Sequence, residues 1–339
     1  MNRIQWIDIA RCFAIVAVFI GHYGVITGNI HSFIFSFHVP LFFFLSGCTE
    51  NLSKELPFVK YAIKKAKQLL IPALFFIIIN QFISLLQGGS FDSFIHNITL
   101  SVCTGSIRNS IYSGDMWFLT CLFVVQLLFY FIRLVKYKWL MLIISFGLLL
   151  WVEIISSIKP LSTPSWYWNV DSAMFYIFFY ALGFITYPWI TELFKFDTTK
   201  KKTLFGIFFA FSSIYSIALL GGKDLFAFMT NSPLFILQLY YVIILTGIII
   251  LFFILLSKLL EDLKLCGNIG TNSLYLYGSE NAIKTIVTQF AAIFGILIQP
   301  TNPLGIVLLS IFIIWLTNKY IVPVEKRFIG WINDKMQAK

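Results

Sequence analysis

The stretch RIQWIDIARCFAIVAVFIGHYG carries Asp8, Arg11 and His22 within an otherwise apolar run, and a second imidazole, His38, follows in SFHVPLFFFLSG. Each of these side chains handles charge or protons. A positioned imidazole suits proton abstraction from an alcohol near neutral pH. At 100° per residue, Arg11 and His22 fall about 60° and about 40° from Asp8, so all three share one helical stripe. Ionisable groups in a membrane helix cost roughly 2.5 to 3.5 kcal/mol each and point into protein or a wet cavity. The stripe is therefore predicted to face the interior of a helix bundle. Asp8 and Arg11, one turn apart, can pair and offset each other's desolvation.

The elements that would hold these groups are membrane helices. The 339 residues are 59% hydrophobic and 12% charged, with a mean hydropathy of +0.86, which excludes an ordinary soluble domain. Apolar runs long enough to cross about 30 Å of hydrocarbon recur along the chain. They predict an all-α polytopic bundle of about ten transmembrane helices, at 7–26, 33–48, 68–86, 116–134, 139–158, 171–190, 204–220, 234–256, 274–298 and 304–322. Helices dominate because hydrocarbon offers backbone N–H and C=O groups no partners. With the N-terminus cytoplasmic, 20 of the 25 Lys and Arg fall on inner segments and three, Arg108, Lys159 and Lys223, on outer ones. That bias places both termini in the cytoplasm and accounts for the formal charge of +10 without nucleic acid. The whole chain, 1–339, reads as one transmembrane domain, with its first segment kept as a helix instead of cleaved as a signal peptide. Five scattered cysteines without paired spacing predict neither a disulfide framework nor a metal site.

Helical rise sets the depth of the imidazoles. His22 lies about 8 Å from the outer boundary, and His38, five residues into a descending helix, lies about as deep. The short connection 27–32 makes the two helices adjacent and antiparallel. The histidines are thus expected to line one cavity near the outer leaflet. A single histidine in such a helix is often a packing residue bonded to a carbonyl, but two at matched depth beside a charged stripe point to function. His31 and His96 fall on outer connections. The long connection between the third and fourth helices is expected to hold a short interfacial helix.

Arg11-x10-His22 with Asp8 three residues before the arginine, followed by SFHVPLFFFLSG, resembles the opening of the membrane-bound acyltransferase 3 family. MWFL at 116–119, IGTNSLYLY before the ninth helix and VEKRF after the tenth extend the resemblance over essentially the whole chain. It implies a bacterial inner-membrane protein of ten helices that moves an acyl group, usually acetyl from acetyl-CoA, to a sugar hydroxyl of a surface or lipid-linked glycan. It also implies that Arg11 and His22 are the essential pair, with His38 a further catalytic candidate. His22 is then the general base, and whether His22 or His38 is transiently acylated stays open.

The remaining site residues divide by side. Lys60, Lys64, Lys65 and Lys67, with Arg11 about 6 Å from the same face, are candidates to bind the phosphates of the coenzyme. The positive-inside rule accounts for the same lysines without a ligand. Trp117, Trp166 and Trp168 on the outer side are candidates to stack on the acceptor, although interfacial aromatic belts place tryptophans at that depth too. Two positions depart from the family pattern: Gln68 stands where an arginine is common, and Glu280 where a histidine is common. Glu280 and Lys284 are spaced to pair, and Glu280 is a further acceptor-side candidate. The expectation is an O-acyltransferase, most simply an O-acetyltransferase, with acetyl-CoA as co-substrate, no metal, and bilayer and glycan as partners. The alternatives are an O-succinyl or other acyl transferase, or a polytopic transporter or glycan exporter that uses Asp8, Arg11, Glu280 and Lys284 as a coupling relay.

Overall fold

The computed structural model describes residues 3–50, 56–110, 116–155, 163–223, 235–295 and 302–337. Its elements are helical throughout the described residues: α1 Gln5–Gly21, α2 Asn29–Phe35, α3 His38–Glu50, α4 Phe58–Leu86, α5 Phe91–Thr104, α6 Trp117–Ile132, α7 Lys138–Leu150, α8 Val170–Leu193, α9 Thr199–Leu220, α10 Phe235–Leu259, α11 Lys264–Thr271, α12 Ser273–Ile293, α13 Pro303–Leu316 and α14 Val322–Gln337. Six segments among the described residues are long and apolar enough to cross a membrane: Asn29–Glu50, Phe58–Leu86, Tyr167–Leu193, Thr199–Leu220, Leu239–Leu259 and Pro303–Lys335. The protein is a multi-pass membrane protein. Of the ten predicted crossings, α1 has 17 residues and α6 has 16, short of that length. α7 runs into a π turn at Trp151–Ile155, and the rest of its predicted crossing lies outside the described residues.

The helices fall into two interleaved compact units. The first takes the chain up to Leu45, then Thr186–Ser273, then the run ending at Trp315. Here α1 packs on α11, α10 and α2, and α10 packs on α9. Phe253 of α10 stacks on Phe37 with centroids 4.4 Å apart, and Phe13 and Phe33 complete the aromatic cluster. The predicted second crossing is not one helix. It breaks at Ser36 and Phe37 because Pro40 has no N–H to give the Ser36 carbonyl four residues back. Thr246 Oγ1 of α10 donates to that carbonyl at 2.7 Å instead.

The second unit holds Ser46–Ile185, Leu274–Ile298 and the chain from Leu316. α4 packs on α5, α6 and α14. It starts ten residues before the predicted crossing, so the lysine-rich stretch is the first turns of a 29-residue helix and not a loop. The short helix expected in the following connection is α5, capped by the Ser90 hydroxyl on the Ser93 N–H and ended by Gly105 at φ 69°.

At the end of α3 the Glu50 carboxylate, 3% exposed, takes Lys65 Nζ of α4 at 2.8 Å and Arg133 Nη1, just past α6, at 3.1 Å. The Tyr180 hydroxyl of α8 donates to the same carboxylate at 3.2 Å. The Tyr61 ring lies under both cations, 5.1 Å from Lys65 Nζ and 5.4 Å from the Arg133 guanidinium. Removing the anion leaves two buried cations facing each other, a loss of about 3 to 5 kcal/mol for a buried ion pair stripped of one partner. Glu50→Ala is expected to lower the melting temperature of the detergent-purified protein sharply. Glu50→Gln, which keeps one accepting oxygen but turns the other into an amide donor and loses the charge, should fall between it and the unsubstituted protein; equal melting of all three would contradict this account.

Candidate active site

In the first unit, Arg11 Nη1 meets Asp8 Oδ1 at 3.3 Å. The Asp8 side chain is 11% exposed and that of Arg11 26%, so the pair sits at the edge of the protein interior. The backbone beneath it is fixed by α11. A Cβ on Gly270 would stand 1.6 Å from the Asp8 carbonyl oxygen and 3.1 Å from the Cys12 nitrogen, so only glycine allows this approach. The glycine belongs to the IGTNSLYLY motif, and this contact is its physical role.

The two imidazoles lie at one end of this unit. His22 follows α1 directly, its N–H bonded to the Val18 carbonyl at 3.1 Å, and its side chain is exposed. The interior orientation expected for the stripe holds for Asp8 and lapses by His22, because α1 ends at Gly21. Gly21 lies against Ile34 and Phe35 of α2, and the Phe35 ring meets the His38 ring edge-on at 5.0 Å. His38 is buried, and its Nδ1 is 2.7 Å from the Ile34 carbonyl oxygen. A carbonyl only accepts, so Nδ1 carries the proton and Nε2 is the basic nitrogen of the neutral ring. The helix break makes this bond possible. Across it the Ile34 carbonyl accepts the Phe37 N–H at 3.2 Å in place of a partner four residues on, and the first side chain of α3 turns back onto the same oxygen.

In the second unit, a cavity of about 630 Å³ is lined by Lys60, Lys64, Lys67, Gln68, Tyr275 and Asn333, with Ile63, Pro72 and Ile329 as its apolar part. Residues 60, 64 and 67 share one helical face at 3.6 residues per turn, whereas residue 65 projects about 140° away. Lys65, grouped with the others from sequence, is accordingly buried on Glu50 and does not line the cavity. C-terminal helix α14 contributes Ile329 and Asn333, which sequence reading passed over. Glu280 is buried on α12 and bonds Lys284 Nζ at 2.6 Å.

The three candidate tryptophans occupy separate surroundings in the second unit. Trp166 meets Trp151 edge-on at 6.0 Å, and Trp168 lies near Phe123 at 6.4 Å. Trp117 lies under the guanidinium of Arg108, 4.8 Å from its centroid. Sequence reading missed Glu50, Arg108, Asn169 and Tyr176, which organise these places; an acidic residue closing the SGCTE stretch opposite a lysine-rich one was the available signal for Glu50.

Fold and site together define a polytopic membrane protein with a charged pair and two imidazoles in one unit and a lysine-lined cavity in the other. Residues 4–318 match the acyltransferase domain family, and the chain belongs to that family. The protein is a membrane acyltransferase. No curated relative and no solved structure matches the chain significantly.

The Gly270 contact yields a direct check. Gly270→Ala forces α11 off α1 beneath Asp8, and overpacking of this kind costs about 1 to 3 kcal/mol. It should lower both melting temperature and acyl transfer. Gly267→Ala, on the same helix with open space around it, should change neither.

Proposed function

We propose that this protein is an O-acyltransferase, most simply an O-acetyltransferase, that takes acetyl from acetyl-CoA and delivers it to a sugar hydroxyl of a surface or lipid-linked glycan. The observation that carries the donor half is the cavity where Lys60, Lys64 and Lys67 stand on one face of α4, with Tyr275, Asn333 and Gln68 around them. Three ammonium groups beside an aromatic ring and amide side chains suit a nucleotide coenzyme: cations for the phosphates, a flat face and hydrogen-bonding groups for the base.

The acceptor half rests on the imidazoles. Nε2 of His38, oriented through Nδ1, or the ring of His22 takes the hydroxyl proton as the sugar oxygen attacks the thioester carbonyl. The carbon–sulfur bond then breaks, and the departing thiolate takes up a proton to leave free coenzyme. The Asp8–Arg11 pair contributes as a charged neighbour on the same helix as His22. In this reading the chain crosses the bacterial cytoplasmic membrane ten times as one acyltransferase domain, with both termini and the lysine-bearing start of α4 in the cytoplasm, where the coenzyme is made.

Two measurements test this. His22→Ala and His38→Ala proteins, purified with unchanged melting behaviour, should each lose transfer of labelled acetyl to glycan by about 10²- to 10⁴-fold, the contribution of a positioned base; full transfer by both would sink the mechanism. Replacing Lys60, Lys64 and Lys67 together by glutamine should raise the KM for acetyl-CoA at least tenfold and flatten its salt dependence. An unchanged KM would remove the cavity from the donor site.

A further inference from the structure

The last helix, α14, divides its side chains between two faces. Val324, Phe328 and Trp331 are exposed along one of them. Ile329, buried, and Asn333, half-buried, stand one turn apart on the other, and both line the cavity of the second unit. Both residues lie beyond position 318, where the match to the acyltransferase family ends. What α14 adds to the cavity is therefore assigned by this chain's own geometry and not by the family.

Asn333 is the polar group on the inward face. Its Oδ1 is buried, and no N–H or O–H group among the described residues donates to it. A buried amide oxygen without a donor costs free energy, and folded proteins hold few of them. An apolar side chain at this position would remove the cost. The bonding partner of Asn333 is accordingly sought in the cavity that it lines. With no hydrogen bond to hold Oδ1, rotation about the Cβ–Cγ bond, a soft torsion, presents either end of the amide to that space.

The neighbours of Asn333 decide what the partner is. Ile329 gives the cavity an apolar wall, and the Tyr275 ring, braced by Lys326 Nζ at 5.5 Å from its centroid, gives it a flat one. Walls of this kind suit a planar heterocycle. Lys60, Lys64 and Lys67 bring cations to the same space of about 630 Å³, a size usual for small-molecule sites. A base tied to phosphates satisfies both halves. Adenine matches a carboxamide fully, because its 6-amino group donates and the adjacent ring nitrogen accepts, while the amide sets an acceptor beside a donor.

We infer that Asn333 selects the base of the acyl donor: Oδ1 accepts from the 6-amino group of adenine, Nδ2 donates to the neighbouring ring nitrogen, and the ring lies against Tyr275 and Ile329. This rests on the donor-site reading above and adds to it a specificity-determining residue.

Calorimetric titration of the detergent-solubilised full chain tests this with two probes. One is adenosine 3′,5′-bisphosphate, from the nucleotide end of the coenzyme; the other is its purine riboside counterpart, which lacks the 6-amino group. The unsubstituted chain should bind the adenosine form about tenfold more tightly, since the purine form leaves the amide oxygen without a donor. Asn333→Ala and Asn333→Leu should bind the two probes within about twofold of each other, and Asp334→Asn, at an exposed neighbour, should keep the full preference. A merely structural role for Asn333 would weaken both probes alike and leave their ratio unchanged. That result, or equal binding of the two probes by the unsubstituted chain, would overturn the proposal. Titration of the same sample with acetyl-CoA separates the two readings. Acetyl-CoA binding without a base preference sinks this inference alone, a base preference without acetyl-CoA binding sinks the thioester donor alone, and binding of none of the three sinks both.

Discussion

Glu50 holds the second unit together by placing one anion between two cations where four helices converge. The arrangement is expensive in desolvation, and a well-packed apolar cluster of equal volume can match such a triad in stability. What a cluster of leucines could not do is set direction. Drawing Lys65 inward to Glu50 fixes the rotation of α4 about its own axis, and that rotation aims Lys60, Lys64 and Lys67 into the cavity beside Tyr275 and Asn333. Arg133 does the same for the end of α6, with Tyr61 and Tyr130 as flat supports for its guanidinium.

The first unit places its two imidazoles by backbone geometry. Its catalytic candidates lie near helix ends and breaks, where backbone groups are released from the α-helical ladder. Pro40 creates such a break in the second predicted crossing; the freed Ser36 carbonyl is taken up by Thr246, and the Ile34 carbonyl, which accepts the Phe37 N–H at 3.2 Å, also meets the His38 ring. Gly270 lets α11 come into backbone contact with α1 at the Asp8 carbonyl, so the backbone that carries the charged pair has no room to shift. Each polar group is thus placed by the local chemistry of a proline, a glycine or a hydroxyl.

How far this could be read from sequence differs residue by residue. Asp8 and Arg11 were legible because helical periodicity alone puts them one turn apart on one face. The grouping of the lysines was half legible. Their charge marked them as one group, but reading the helix from Gln68 hid the 3.6-residue rule that separates Lys65 from Lys60, Lys64 and Lys67. The helix break carried a visible signal in Pro40 that hydropathy overrode, since an apolar run of sufficient length reads as one crossing whether or not a proline frees a carbonyl. Asn169 and Arg108 had no readable signal. Their meeting depends on left-handed backbone at 105, 106, 109, 168 and 169, residues some sixty positions apart, and such geometry follows from tertiary fit and not from local pattern.

The bond between His38 and the Ile34 carbonyl orients the imidazole through the main chain. A backbone oxygen cannot be titrated, exchanged by a point substitution or weakened by dissolved ions. The tautomer of the ring is therefore written into the main chain, and it persists for as long as the proline-broken helix keeps its shape.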